Sequence, residues 1–345
     1  MRVCQAKGLQ YSAATYRFTL APRLASYIVS CLPYEMLSDD VLLETFKHLS
    51  PSDLAVCKSV CFRWNELIKY HAKILPKRAL NRLVFEQKRS PLRSQNRLIV
   101  EDCQRLVCSR TVDPDYLTQN LLHCTVGILV FKDKWRPSLG QLLEQLSCAR
   151  FELRPRRIVF QDTDLAAVSE QVLSRFMRSV SEVNTLRFCS IRNGSHCLSD
   201  SVLSCATKLQ YLVIHSATGK EKSIELPKLT DQSLIQFSQQ SSIVKRVELW
   251  SCGITGAGIE ALVHCWTGCF VENELRITLL HCAVDMQKLG NEIKNFCIRP
   301  YYYSRTVHRS KARGIELILL NKAGFPLKIR ICLPAEDKIQ LEDRN

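Results

Sequence analysis

The sequence of 345 residues lacks the short motifs that commonly identify an enzyme. It contains no glycine-rich phosphate loop, no Gly-x-Ser-x-Gly elbow and no His-Glu-x-x-His zinc motif. Its eight histidines are scattered along the chain. We therefore predict no catalytic residues, no metal site and no cofactor. An active site without a recognisable motif is the alternative to this interpretation.

The 17 cysteines include no Cys-x-x-Cys pair, so neither a zinc ribbon nor a thioredoxin-like site is predicted. We find no pattern of a secretory signal, so free thiols favour a reducing compartment, and we expect a cytoplasmic and/or nuclear protein. No apolar run is long enough to span a bilayer, and no membrane association is predicted. Residues 1–31 are basic without any acidic residue, which favours a flexible extension and leaves a targeting segment as the alternative.

What the sequence does have is positive charge, with a formal net charge of +15. A basic protein attracts nucleic acid, anionic membranes, or acidic and phosphorylated protein segments. The basic residues are scattered, and the densest stretches are Lys77–Arg110 and Arg299–Arg313. Because runs of charge are most often solvated faces, neither stretch by itself predicts a binding site.

Residues 37–68 carry the clearest local pattern, which predicts three short helices. Ser38 suits the start of the first helix, because its side-chain oxygen can accept an orphan backbone N–H. Ser50, followed by Pro51 and then by Asp53, has the spacing of a capping box with proline at the first helical position. Apolar residues recur at helical spacing. They are Val41, Leu42, Leu43, Phe46 and Leu49, then Leu54, Cys57, Val60 and Cys61, then Trp64, Leu67 and Ile68.

This stretch resembles the F-box, the motif that docks a substrate receptor onto the Skp-type adaptor of an SCF ubiquitin ligase. The family pattern is a Leu-Pro-like start, Val-Leu-Leu-x-x-Phe, Leu-Ser-Pro-x-Asp-Leu and Val-Cys-x-x-Trp. The matching segments here are Leu37–Ser38, Val41–Phe46, Leu49–Leu54 and Val60–Trp64. Ser38 stands where the family pattern has the proline of its Leu-Pro start. This departure affects the prediction for the entry loop and not that for the three helices.

The resemblance implies a non-catalytic binding module with two ends. One end would bind the Skp-type adaptor and, through it, cullin and RING subunits, while the other end would hold a protein substrate. Ubiquitin transfer would then depend on proximity, because the complex raises the effective concentration of a substrate lysine. The implied adaptor-binding residues are Leu37, Leu42, Leu43, Phe46, Leu49, Pro51, Leu54, Val60, Cys61 and Trp64.

From Val126 onward, short apolar segments alternate with helix-like stretches, mostly at the spacing of solenoid repeats. The predicted strands are 127–131, 157–160, 183–188, 209–214, 244–249, 274–279 and 315–320. The predicted helices are 164–180, 230–238 and 258–266.

One segment in this region, Val244-x-x-Val247-x-Leu249-x-x-Cys252-x-Ile254-Thr255, resembles the cysteine-containing leucine-rich repeat, and three others match it in part. The fold class predicted for the chain is therefore α+β or α/β, with a three-helix F-box followed by a leucine-rich-repeat-like solenoid. A non-solenoid α/β domain is the alternative.

The predicted domains follow from these patterns. They are an extension at 1–31, the F-box at 32–70, a mostly helical basic linker at 71–125, the repeat-like substrate domain at 126–335 and a tail at 336–345.

In a solenoid, outward-facing strand residues would contact the substrate. The candidates are Arg187, Tyr211, His215, Arg246, Trp250 and Arg276. Arg187, Arg246 and Arg276 occupy equivalent or nearly equivalent repeat positions and predict a basic ladder, suited to an acidic or phosphorylated substrate. The charge also permits a nucleic-acid-binding protein, which would leave the F-box unexplained, and a scaffold outside a ligase is a further alternative.

Overall fold

The computed structural model describes residues 37–88, 95–101, 106–111, 121, 124–132, 138–147, 153–180, 182–216, 226–240, 244–280, 282, 284, 302–309 and 312–332. The predicted extension at 1–31 and the tail at 336–345 lie outside these residues. Contacts within the chain divide it into two compact units, Met1–Pro76 and Lys77–Asn345.

The described part of the first unit contains the three helices that the sequence predicts. They are α1 Asp39–Lys47, α2 Pro51–Cys57 and α3 Phe62–Tyr70. Ser38 caps α1 by accepting a hydrogen bond from the backbone N–H of Val41, and Ser50 caps α2 by accepting one from Asp53. Both predicted N-caps are thereby confirmed, because each hydroxyl satisfies a backbone donor that has no partner inside its helix.

The three helices bury a small core of their own. Phe46 and Trp64 meet edge to face at its centre, with ring centroids 5.3 Å apart. The buried members of this core are Leu42, Phe46, Leu54, Cys57, Trp64, Ile68 and Leu75. Short helices gain most of their stability from such packing, so these residues hold the unit together.

In the described part of the second unit, twelve strands form one mixed sheet in the order β10-β11-β12-β9-β8-β7-β6-β5-β4-β1-β2-β3. The strands are β1 Arg78–Lys88, β2 Gln95–Glu101, β3 Leu106–Thr111, β4 Cys124–Lys132, β5 Arg157–Gln161, β6 Thr185–Ile191, β7 Tyr211–Ser216, β8 Arg246–Trp250, β9 Leu275–Leu280, β10 Tyr302–Arg309, β11 Ala312–Leu320 and β12 Pro326–Cys332. The strands predicted from the sequence correspond to β4–β9 and β11.

Strands β4 to β9 are parallel and lie side by side in chain order. A helix connects each of them to the next. The connecting helices are α4 Leu139–Leu146, α5 Glu170–Ser179, α6 Asp200–Ser204, α7 Asp231–Gln239 and α8 Gly256–Gly268. Side chains of these helices share one buried cluster with alternate strand residues such as Ile158, Phe188 and Leu249. The other alternate residues of the strands therefore belong to the opposite face of the sheet.

The helical structure predicted for residues 71–125 is wrong in the described part, where β1, β2 and β3 form an antiparallel end of the sheet. The buried residues Leu80, Leu83 and Val84 have helical spacing, which explains the misassignment. However, Leu83, Val84 and Phe85 are all buried in succession, which shows that both faces of β1 are covered, and β1 lies between β2 and β4. A strand buried on both faces shows no polar alternation and cannot be told from a helix by periodicity.

Successive helices are joined by a repeated hydrogen bond. In each case an acidic residue in the first turn of one helix accepts a hydrogen bond from the N-cap hydroxyl of the next. The pairs are Glu170–Ser199, Asp200–Thr230 and Asp231–Thr255. These contacts align the starts of α5 to α8 along one edge of the unit.

Candidate protein-interaction surfaces

Four of the residues predicted to insert into an adaptor groove face the core of the first unit instead. Leu42, Phe46, Leu54 and Trp64 are each no more than 6% exposed. Inserting them into a partner would require the unit's own core to open, so direct insertion of these four side chains stays a prediction. Their part in the motif is to hold the three helices together.

The remaining predicted adaptor residues stay accessible to different degrees. Val60 is 45% exposed. Leu37, Leu43, Leu49, Pro51 and Cys61 are half-buried. Leu37, Leu43, Leu49 and Cys61 pack against the edge of the core, so each combines support of the helices with a partly open apolar surface.

The described part of the first unit exposes large apolar side chains, of which only Val60 is a predicted site residue. The exposed apolar set of this unit consists of Val41, Val56, Val60, Phe62, Tyr70 and Ile74. Among the residues of the second unit whose exposure the structure describes, the exposed large apolar side chains are those of Tyr211, Phe270, Leu320 and Phe325. Helical geometry could have predicted the exposure of Val56. It lies between Leu54 and Cys57, which both face the core, so its side chain points away from that face.

An ion pair fixes the start of α1 against α3. The guanidinium of Arg63 donates to Asp39 Oδ1 at 2.7 Å and to the carbonyl oxygen of Leu37 at 2.6 Å. Arg63 thereby ties down the entry segment at the position where Ser38 replaces the family's proline.

In the second unit, the predicted substrate residues lie on the sheet face opposite the helices. Tyr211 pairs with Arg246, and Arg246 pairs with Arg276, across neighbouring strands. Arg187 belongs to a different row, because it pairs with Val213, which in turn pairs with Glu248. The prediction of a ladder of three arginines is therefore wrong. Of these three residues, the strand register makes only Arg246 and Arg276 neighbours.

Both of these neighbouring arginines have acidic partners on the same face. Arg246 lies 3.1 Å from a carboxylate oxygen of Glu248, and Arg276 lies 2.8 Å from one of Glu274. Hydrogen bonds from Arg276 and Lys328 lower the pKa of Glu274 to about 2. Two carboxylates thus offset part of the positive charge on this face, and Arg246 and Arg276 are less available to an acidic ligand than the sequence suggested.

A polar and aromatic cluster stands at the carboxyl ends of β7 and β8. The rings of His215 and Trp250 stack with centroids 4.8 Å apart. His215 Nε2 lies 2.9 Å from Glu248 Oε1, and this hydrogen bond is the main reason why the pKa of Glu248 is lowered. His215 and Trp250, both predicted substrate residues, are therefore brought together, with Tyr211 39% exposed on the same strand as His215.

Within the residues that the structure describes, no three His, Cys, Asp or Glu side chains are grouped so that they could hold a metal ion. None of the helices in that same part of the chain has the length and apolar character needed to cross a membrane.

Comparison with known families and proteins supports the assignment of the first unit. Residues 29–74 match the F-box domain family, and α1–α3 all lie inside this range. No curated protein matches the chain. An F-box domain implies binding to a Skp-type adaptor in SCF ubiquitin ligases, and F-box proteins are generally non-catalytic adaptors. With the three helices and their caps inside the matched range, the chain contains an F-box domain.

Proposed function

We propose that this chain is the substrate-recognition subunit of an SCF-type ubiquitin ligase, acting in the cytoplasm and/or nucleus. The first unit binds a Skp-type adaptor that connects the chain to cullin and RING subunits, and the second unit holds a protein substrate. The observation that carries this proposal is the exposed apolar set of the first unit, from Val41 to Ile74, beside a core that is already complete.

The exposed apolar set favours a protein partner for a physical reason. Phe62 is 81% exposed and Val56 is 64% exposed, although the unit has other apolar residues in its core. Burying a large apolar side chain contributes about 1.5–3 kcal/mol, so a partner covering several of them gains substantial free energy. The half-buried Leu37, Leu43, Leu49, Pro51 and Cys61 would border this contact.

Co-purification of the full chain with a co-expressed Skp-type adaptor tests the proposal. The informative variant is Val56→Asp/Phe62→Asp, because both side chains are exposed and the core stays intact. Phe270→Asp is the matched control, since Phe270 is 76% exposed and lies in the second unit. We expect wild type and the control to form a stoichiometric complex and the double variant to lose it. Equal binding by the double variant would contradict the proposed docking surface.

We also propose that the region 126–335 is a leucine-rich-repeat-like solenoid. The chain-order arrangement of β4–β9 supports this, as does the repeated contact between the starts of successive helices. The cysteine position of the repeat supports it as well. Cys252 is fully buried, and its Sγ lies 3.1 Å from that of Cys282 one strand further on. Ala217, at the corresponding position of an earlier repeat, lies outside the described residues.

The substrate surface proposed here is the sheet face that carries Tyr211, His215, Arg246, Trp250 and Arg276, with Arg187 in the next row. Aromatic and arginine side chains are the residues most often found at the centres of protein interfaces. Since Arg246 and Arg276 have acidic partners, we expect the contact to rest on the aromatic rings as much as on charge.

Ubiquitination of cell-extract proteins by a ligase reconstituted with this chain tests the substrate surface. In Tyr211→Ala/Arg276→Ala, two exposed side chains of one row are removed. The matched control is Phe270→Ala/Lys322→Ala, which removes another exposed aromatic ring and the lysine 5.4 Å above it. We expect the first variant to lose the modified proteins, with adaptor binding unchanged, and the control to keep them. An unchanged set of modified proteins in the first variant would exclude this face.

A further inference from the structure

A cavity of about 830 Å³ lies beside α5, on a part of the second unit that the proposed substrate surface does not use. Its volume falls within the range of about 300–1,000 Å³ that is typical of ligand sites. The lining residues that matter here are Glu170, Arg175, Arg178, His196, Ser201 and Lys228. They come from α5, from the start of α6 and from the loops that follow β6 and β7.

The two arginines of this cavity differ from those on the sheet. Arg175 and Arg178 are three residues apart on α5, so they belong to the same side of the helix, and both are exposed. In the described part of the chain, neither guanidinium makes a hydrogen bond or an ion pair. Arg246 and Arg276, by contrast, already bind Glu248 and Glu274. An incoming anion would therefore not have to displace an internal partner from Arg175 or Arg178.

The acidic residue of the cavity is already compensated. The Glu170 carboxylate accepts hydrogen bonds from Ser201 at 2.5 Å, Ser199 at 2.8 Å and Lys228 at 3.0 Å. These bonds lower its pKa to about 2, so it is ionised at neutral pH and Lys228 balances its charge. Two arginines and one lysine against one glutamate leave two net positive charges in the cavity.

We propose that this cavity binds a phosphate monoester carried on a protein side chain. Two unpaired guanidinium groups match the charge of close to −2 and the several acceptor oxygens of such a group. His196 lines the same cavity and adds an imidazole that can donate a further hydrogen bond. A single carboxylate would leave one of the two positive charges without a partner.

The lining favours a protein segment over nucleic acid. No Phe, Tyr or Trp is among the described residues that line the cavity, so there is no such ring on which a base could stack. Glu170 also interrupts the positive surface that a phosphate backbone would have to follow. The role of the bound segment as a substrate rests on the proposed function. Binding of a phosphorylated segment to this cavity does not depend on that function.

Retention of the full chain on immobilised peptides tests the inference. The probe is a pool of short random peptides with a central phosphoserine, compared with the same pool carrying unmodified serine. We expect the wild type to prefer the phosphoserine pool and Arg175→Glu/Arg178→Glu to bind it at least about tenfold more weakly. Lys245→Glu/Lys322→Glu is the control, because it changes the net charge equally at two other exposed positions and should bind as wild type does.

Other outcomes separate the possible ligands. Equal retention on the two peptide pools would overturn the inference. Retention on single-stranded DNA that the arginine variant alone loses, without a phosphoserine preference, would overturn it in favour of nucleic acid. Thermal stabilisation by inorganic phosphate without peptide binding would overturn it in favour of a site for a free anion.

Two controls keep the result interpretable. If the glutamate variant does not fold by circular dichroism, Arg175→Gln/Arg178→Gln replaces it. The Val56→Asp/Phe62→Asp variant should keep phosphopeptide binding while losing the adaptor, which separates failure of this inference from failure of the proposed function.

Discussion

Asp231 accepts two hydrogen bonds from Thr255, one from the backbone N–H at 2.7 Å and one from the hydroxyl at 2.6 Å. Asp231 is the first residue of α7 and Thr255 is the N-cap of α8, so the contact joins the starts of successive helices. Gly258 passes so close to this carboxylate that a Cβ at position 258 would collide with Asp231. The contact thus depends on the missing side chain of Gly258.

We predict that Gly258→Ala destabilises the second unit by about 1–3 kcal/mol, because a methyl group is forced into an occupied space. In an open helical position the same change stabilises by about 0.5–1 kcal/mol. Gly268→Ala is the control in the same helix, since nothing lies within 4 Å of a Cβ at that position. Urea unfolding of both variants checks this, and equal stability of the two would contradict it.

Two aromatic residues of α3 should differ strongly in how much their replacement destabilises the first unit. Trp64 is 6% exposed and Phe62 is 81% exposed. We expect Trp64→Ala to cost about 3–5 kcal/mol of stability through loss of core contacts. Phe62→Ala should stay within about 0.5 kcal/mol of wild type. Hydrogen exchange of the α1–α3 amides measures both, and comparable protection in the two variants would argue against the buried position of Trp64.

The capping residue of α2 should contribute measurably to the first unit. Ser50 accepts a hydrogen bond from the backbone N–H of Asp53 at 3.2 Å and donates one to the Asp53 carboxylate at 2.6 Å. We predict that Ser50→Ala costs about 0.5–2 kcal/mol, as is usual for a lost N-cap. Ser52→Ala, at an exposed position in the same turn, should be nearly neutral. A thermal unfolding series that ranks the two variants in the reverse order would refute this.

Acid should weaken the contact between α5 and α6. The pKa of Glu170 is lowered from 4.5 to about 2 by hydrogen bonds from Ser201, Ser199 and Lys228. A lowered pKa means that the ionised carboxylate stabilises the folded state above pH 4.5, and that this stabilisation is lost as the pH falls toward 2. We therefore expect Glu170→Gln to be less stable than wild type at pH 7. The difference in stability between the two proteins should shrink as the pH falls from 4.5 toward 2.

Urea unfolding across this pH range measures the effect of Glu170. Glu272→Gln serves as the control, because Glu272 is exposed and accepts no hydrogen bond among the described residues. A difference between wild type and Glu170→Gln that is the same at pH 7 and at low pH would contradict the assigned role of the carboxylate.

Local signals in the sequence were sufficient for most of the secondary structure. Ser38 and Ser50 predict their helix starts, because capping is a contact between residues three apart. Strands β5 to β9 follow from short apolar segments bounded by polar ones. The F-box motif, matched over residues 29–74, needed only residue types and their spacing.

The tertiary structure decided what local patterns left open. Residues 78–88 have helical spacing of apolar side chains and yet form β1, because backbone pairing with β4 on one side and β2 on the other holds them as a strand inside the sheet. Arg187 does not lie in the same row of the sheet as Arg246. The register between strands, and not the position within a sequence repeat, determines which side chains are neighbours. Trp64 points into the core while Phe62 is exposed, since only three-dimensional packing determines which apolar residues cover each other. Periodicity measures amphipathic character, whereas the partner of each face is chosen by contacts between residues distant in the chain.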